Sequence, residues 1–269
     1  MDSLTARVAL VTGASRGLGR GIALALGAAG WTVWVTGRSS RRSGLTSHLP
    51  GTVDDTADAV TAAGGRGIAA ICDHRDDSQV RAVAAAIQSS SGRLRLLVNN
   101  AWGGYERLNA GEWAEWNAPF WEQPLELWDA MFNSGVRAHY VTTALCAPLL
   151  RAGNGGLVVT VSMEAGAHHQ AHYGVAYSVA KAADDRLALA VSAALAGDGV
   201  ASVALHPGLV RTEGVMQFAE HLDLDGSQSP EGVGRVVAAL AADDEAMSLT
   251  GRALTVTDLA RRYGIDPEA

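Results

Sequence analysis

Tyr177 and Lys181 stand four residues apart in an Ala-rich run, a spacing that places both on one face of a helix. A free tyrosine ionises near pH 10. Bringing it to about 7 takes roughly 4 kcal/mol of preferential phenolate stabilisation, part of which a neighbouring ammonium supplies. The pair therefore reads as a proton donor and acceptor, although alone it also describes an ordinary surface helix. Tyr173 lies one turn upstream, but only Tyr177 has a lysine four residues on. A second feature is the run Thr12-Gly13-Ala14-Ser15-Arg16-Gly17-Leu18-Gly19. Gly13 permits a tight turn, Gly17 a close backbone approach to phosphate, and Gly19 close helix packing, with free N–H groups at the helix start.

These residues need a frame, and the sequence supplies a repeating one. Short β-rich runs cover Val8 to Thr12, Thr32 to Thr36, Gly67 to Cys72, Leu94 to Asn99, Leu157 to Ser162, Ala201 to Leu205 and Ala253 to Val256. Helical patterns fall between them near 18–29, 52–63, 76–90, 124–150, 175–196 and 230–242. Alternation of this kind predicts an α/β fold with a doubly wound parallel sheet of about seven strands. Several strands are continuously apolar, as expected where helices cover both faces. The glycine run then sits between the first strand and the first helix, where a phosphate loop belongs. Residues 39–51 form a polar insertion, and 102–128 an irregular stretch holding Trp102, Trp113, Trp116, Trp121 and Trp128.

The chain has 269 residues, 48% of them hydrophobic, enough to bury a large core, and residues 1–269 read as a single domain. A net charge of −7 argues against a nucleic-acid partner. The one basic cluster, Arg38, Arg41 and Arg42, suits a single phosphate group, although Arg41 and Arg42 also read as solvated loop charges. Cys72 and Cys146 lie in apolar runs without metal-ligand spacing and read as free thiols, so neither disulfide nor metal is expected. With no signal-type segment and no apolar run long enough for a bilayer, the expected location is the cytoplasm, away from membranes.

The glycine run after the first strand, Asn99-Asn100-Ala101 after the fourth, Tyr177-Ser178-Val179-Ala180-Lys181 and Pro207-Gly208 after the sixth together resemble the short-chain dehydrogenase/reductase family, from about residue 5 to 257. The resemblance implies a Rossmann-type fold and hydride transfer between a nicotinamide and a carbonyl or alcohol. Tyr177 would be the general acid/base, and Lys181 would support it and hold the ribose hydroxyls. It implies cofactor contacts from Gly13, Ser15, Arg16, Gly17, Leu18, Gly19, Arg38, Asp73 at the adenine, Asn99, Ala101, Tyr177, Lys181, Pro207 and Gly208. Val210 and Thr212 would meet the nicotinamide end. NAD-preferring members carry an acidic residue at the end of the second strand, where this chain reads Thr36-Gly37-Arg38. With Arg16 in the loop, this favours NADPH/NADP+ over NADH.

Two positions depart from the family pattern. The family serine at the end of the fifth strand is matched to Ser162, but alignment through the strand puts Met163 there. The family's relay asparagine, seven residues after Trp128, is Gly135; Asn133 is two positions away, about 200° around a regular helix. These departures leave open a dinucleotide-binding sensor or interaction protein, or a lyase or epimerase on the same fold. The tryptophan-rich stretch suggests a hydrophobic or aromatic substrate, with Trp102 replacing the usual glycine and narrowing the pocket. His168, His169, Gln170, His172 and Tyr173 read as polar lining, or as a substitute relay. Family resemblance also implies a homodimer or homotetramer packed through the helices at 124–150 and 175–196.

Overall fold

A computed structural model describes residues 7–106, 111, 113–153, 155–164 and 174–269, without the side chains of Trp113 and Ala114. Seven parallel strands form one sheet: β1 (Val8–Val11), β2 (Thr32–Gly37), β3 (Arg66–Ile71), β4 (Leu96–Asn99), β5 (Leu157–Val161), β6 (Ala201–His206) and β7 (Ala253–Thr255). Their order is β3-β2-β1-β4-β5-β6-β7. The doubly wound sheet expected from the alternating pattern is present. Its order reverses between β1 and β4, which opens a crevice at their carboxyl ends. Register is set by apolar side chains on both faces: Val11 lies opposite Val35, and Ala9 opposite Leu96.

Helices α1 (Gly17–Ala28) and α2 (Val53–Ala62) cover one face, where Ile22, Leu26 and Val60 pack on Ala9, Val11, Val33 and Val98. α3 (Asp77–Ser90) lies on the other, with Val80 and Ile87 against Leu10, Trp34 and Leu97. The inner strands are buried on both faces because alternate residues meet different helical layers, whereas the edge strand β3 is partly exposed.

The helix expected over 124–150 is interrupted. A short α4 (Trp113–Asn117) precedes α5 (Leu125–Met131), then a π-helical segment at Phe132–Arg137, then α6 (Ala138–Arg151). The wider turn brings buried Gly135 against the Trp102 ring and leaves Asn133 exposed, so the bend does not bring Asn133 to the Gly135 position. The chain continues through α7 (Val175–Leu195), α8 (Glu213–Met216), α9 (Pro230–Ala242) and α10 (Val256–Tyr263). α10 begins at Val256, which the sequence pattern assigns to the last strand: Thr255 ends β7 and caps the helix, accepting from the Asp258 N–H.

A polar tie crosses the apolar layer on the second face. The Thr36 hydroxyl donates to the Val11 carbonyl at 3.3 Å, so it accepts from His74 Nε2 at 2.8 Å. His74 Nδ1 then accepts from Thr142 Oγ1 at 3.1 Å. The ring is thereby neutral and doubly bonded. Burial, with His139 nearby, pulls its pKa down to about 4. The unfolded chain takes up this proton near pH 6.5 while the folded one refuses it, so stability falls with pH across that interval. The expected loss between pH 6.5 and 4 is about 3 kcal/mol. Chemical denaturation across this range should show the loss in the wild type, and a His74→Gln variant should lose less stability over the same range.

Candidate active site

The crevice at the sheet reversal is a cavity of about 560 Å³. Gly13, Ser15, Arg16, Gly17, Leu18, Arg38, Asp73, Ala101, Ser162, Tyr177, Lys181, Pro207, Gly208, Val210 and Thr212 all line it. Gly13 and Gly17 have φ of +64° and +56°, which glycine adopts without strain. Gly19 is not in the wall: a Cβ there would lie 2.5 Å from the Gly13 carbonyl oxygen, so this glycine permits close packing.

α1 begins at Arg16, which provides no side-chain cap. A distant carboxylate does so instead: the Gly17 N–H donates to Glu213 Oε2 at 2.8 Å. Arg16 donates to Ser47 Oγ, to Ser39 Oγ at 2.7 Å and to the Gly51 carbonyl at 3.3 Å, which folds the 39–51 insertion onto the loop. Burial, opposed by Glu213 and reinforced by Arg38, holds its guanidinium below its ordinary pKa. Arg38 pairs with Glu106 at 2.6 Å. Arg41 turns away to Asp55 and Asp58 on α2, as a solvated loop charge does. Arg75, which no motif marks, adds a third cation to this end and holds Asp73 at 2.6 Å.

Asn99 differs from expectation. It is fully buried, absent from the cavity wall, and donates to Thr143 Oγ1 at 2.8 Å; its neighbour Asn100 lines the cavity and donates to the Thr12 and Gly13 carbonyls at 2.9 and 3.1 Å. Alternate residues of an extended strand end face opposite sides, so a shift of one position exchanges wall for core.

The loop, Asn100 and the Tyr177–Lys181 helix thus converge on one crevice. A family model described as short chain dehydrogenase matches residues 7–223. The chain belongs to the short-chain dehydrogenase/reductase family. It is 40% identical to mouse dehydrogenase/reductase SDR family member 1, over 96% of this chain and 82% of the relative. It is 29% identical to a 3-oxoacyl-[acyl-carrier-protein] reductase of Synechocystis sp., over 95% and 97%. A short chain dehydrogenase structure from Mycobacterium thermoresistibile superposes with a TM-score of 0.79 at 25% identity, covering 97% of this chain and 88% of that one. The family's members are oxidoreductases that use a nicotinamide cofactor.

A chain of buried polar groups lies beneath the site. Lys181, almost fully buried, donates to the Val161 carbonyl and to Asp184 Oδ2, both at 3.2 Å, and its Nζ lies 3.8 Å from the Trp102 ring centroid. Asp184 is wholly buried and accepts from His139 Nδ1 at 2.8 Å, while His139 Nε2 donates to the Ala101 carbonyl at 2.9 Å. Burial works against the Asp184 carboxylate, but His139 and Lys181 outweigh it and hold it below the usual carboxylate range. No motif announced this chain of contacts; Lys181 and Asp184 share α7, and His139 on α6 meets them only after folding.

Ser162 also departs from expectation. Its hydroxyl donates to the Lys181 carbonyl at 3.0 Å, so its donor is committed to α7 rather than to the cavity. Tyr105 stands at Tyr177 instead, its hydroxyl donating to Tyr177 Oη at 2.9 Å. Trp102 packs edge-on to Tyr177, and Trp116 lies 6.1 Å away, while Trp121 and Trp128 are exposed. Burial pushes the thiols of Cys72 and Cys146, the two cysteines of the chain, each up to about 12. His168, His169, Gln170, His172 and Tyr173 lie outside the described residues.

Two outcomes follow. Asp184→Asn removes the charge between two buried cationic groups and should cost about 3 kcal/mol or more in denaturant melts, with Asp184→Ala at least as severe. A Cβ at Gly135 would meet the Trp102 ring at 2.6 Å, so Gly135→Asn should destabilise by about 2 kcal/mol. Adding Trp102→Gly should recover much of that loss in a double-mutant cycle, because the two positions share one volume.

Proposed function

We propose that the protein is an NADP(H)-dependent oxidoreductase that interconverts a hydrophobic carbonyl compound and its alcohol, with Tyr177 as general acid/base. The carrying observation is that one cavity joins a cationic end at Arg16, Arg38 and Arg75 to an aromatic end around Tyr177 and Lys181.

The wall fits a dinucleotide. A Cβ at Gly17 would project to within 3.5 Å of the Thr212 side chain, so the bare glycine keeps open the space that a pyrophosphate needs. The Gly17 N–H already holds a carboxylate oxygen, the kind of acceptor a phosphate offers. Gly37 and Arg38 close β2 without an acidic residue, which leaves guanidinium groups for a 2′-phosphate. Glu106 now occupies Arg38 and is the group that such a phosphate would exchange with.

When bound, the reduced nicotinamide supplies a hydride to the carbonyl carbon. Tyr177 gives its proton to the carbonyl oxygen and is left as phenolate. Lys181, pinned by Asp184, keeps positive charge beside it. Trp102, Trp116, Leu209, Phe218 and Leu222 line the remaining space and select an apolar substrate. A homo-oligomer packed through α6 and α7 is part of this reading, supported by exposed Tyr140, Val179 and Leu189.

Fluorescence titration should give NADPH binding at least about tenfold tighter than NADH, since one charge-assisted phosphate contact separates them. Screening aldehydes, ketones and quinones should reveal NADPH oxidation that falls by about two to four orders of magnitude in Tyr177→Phe. Absence of NADPH binding would overturn the reading.

A further inference from the structure

Resting on the oxidoreductase reading, we propose that Tyr105 is a second catalytic residue: its hydroxyl binds the same substrate oxygen that Tyr177 protonates, in the role the family serine would take from the end of β5.

Ser162 has its hydroxyl proton on the Lys181 carbonyl, and the next residue, Met163, offers a thioether to the cavity. Tyr105 donates to Tyr177 Oη at 2.9 Å, with the two rings stacked at 6.1 Å and 30°. Hydroxyls this close both reach a single carbonyl oxygen at ordinary hydrogen-bond distance. Tyr105 is held there by its own surroundings. Its ring meets Trp102 at 6.1 Å and Trp116 at 5.7 Å, and the adjoining Glu106 is tied across the crevice to Arg38. The turn that delivers it needs bare glycines: a Cβ at Gly103 would lie 2.5 Å from Ser134 Oγ, and one at Gly104 would lie 2.7 Å from the Trp102 indole nitrogen.

The electrostatics require such a donor. Tyr177 packs among Leu127, Met131, Ala176, Ala180, Trp102, Trp116 and Met163, apolar surroundings that disfavour a phenolate. Among the described residues, charged groups on the surrounding elements include Lys181 and Asp184 on α7, His139 on α6, and the Glu106–Arg38 pair beside Tyr105. A hydrogen bond donated by Tyr105 stabilises the ionised form directly. During reduction the carbonyl carbon receives hydride with its electron pair from the reduced nicotinamide, and the C=O π pair moves to oxygen. Tyr177 surrenders its proton to that oxygen, and Tyr105 keeps its own.

Tyr105→Phe retains the stacked ring and loses only the hydroxyl. In cofactor-free protein, the tyrosinate absorbance that disappears in Tyr177→Phe should titrate about one pH unit higher in Tyr105→Phe. With NADPH and a carbonyl substrate, kcat should fall about 10- to 100-fold, NADPH affinity should stay within about twofold, and the alkaline limb of kcat/KM should move to higher pH. An unmoved titration or an unaltered kcat overturns the proposal. Should Tyr177→Phe itself turn over normally, the acid/base reading of Tyr177 fails, and the cofactor-free titration still decides whether the two hydroxyls are coupled.

Discussion

The ammonium of Lys181 is buried, and a buried charge persists only where partners replace its water. Asp184 and the Val161 carbonyl bond it, and the Trp102 ring lies against it. Asp184 in turn depends on His139, and His139 on the Ala101 carbonyl. One chain of contacts thus joins α7, α6 and the end of β4, the three elements that meet around Tyr177. Their relative placement cannot drift without leaving a charge unpaired in the core, which is why a crevice built from distant segments holds its geometry.

Trp102 belongs to the same constraint from the other side. The family places a small residue after Asn-Asn-Ala and a relay asparagine in the following helix; here the indole ring fills the space above Gly135 and covers the lysine. The two departures are one exchange of volume. The aromatic wall and the Asp184–His139 pair behind Lys181 are what surrounds the lysine here. The π-helical segment at Phe132–Arg137 gives the backbone the extra width that brings Gly135 under the ring.

At the opposite end of the crevice, carboxylates occupy the anion positions. Glu213 sits on the Gly17 N–H, and Glu106 on Arg38. Each adjoins a residue that lines the same cavity, Glu106 next to Tyr105 and Glu213, at the start of α8, next to Thr212.

Alternation of apolar runs and helical patterns was sufficient for the seven-stranded parallel sheet, because the two buried faces of the inner strands are written in consecutive residues. The glycine loop and the four-residue spacing of Tyr177 and Lys181 were legible for the same reason: turn geometry and helix faces are local properties. Asn99 against Asn100 was not, since both residue types are identical and only the strand's direction decides which reaches the wall. The contacts of Ser162, Tyr105, His139 and Glu213 were decided by folding alone, as was the pairing of Asp184 with His139. Their partners lie between 19 and 196 positions away, and hydrogen bonds at that range depend on how helices and loops pack rather than on any periodicity along the chain.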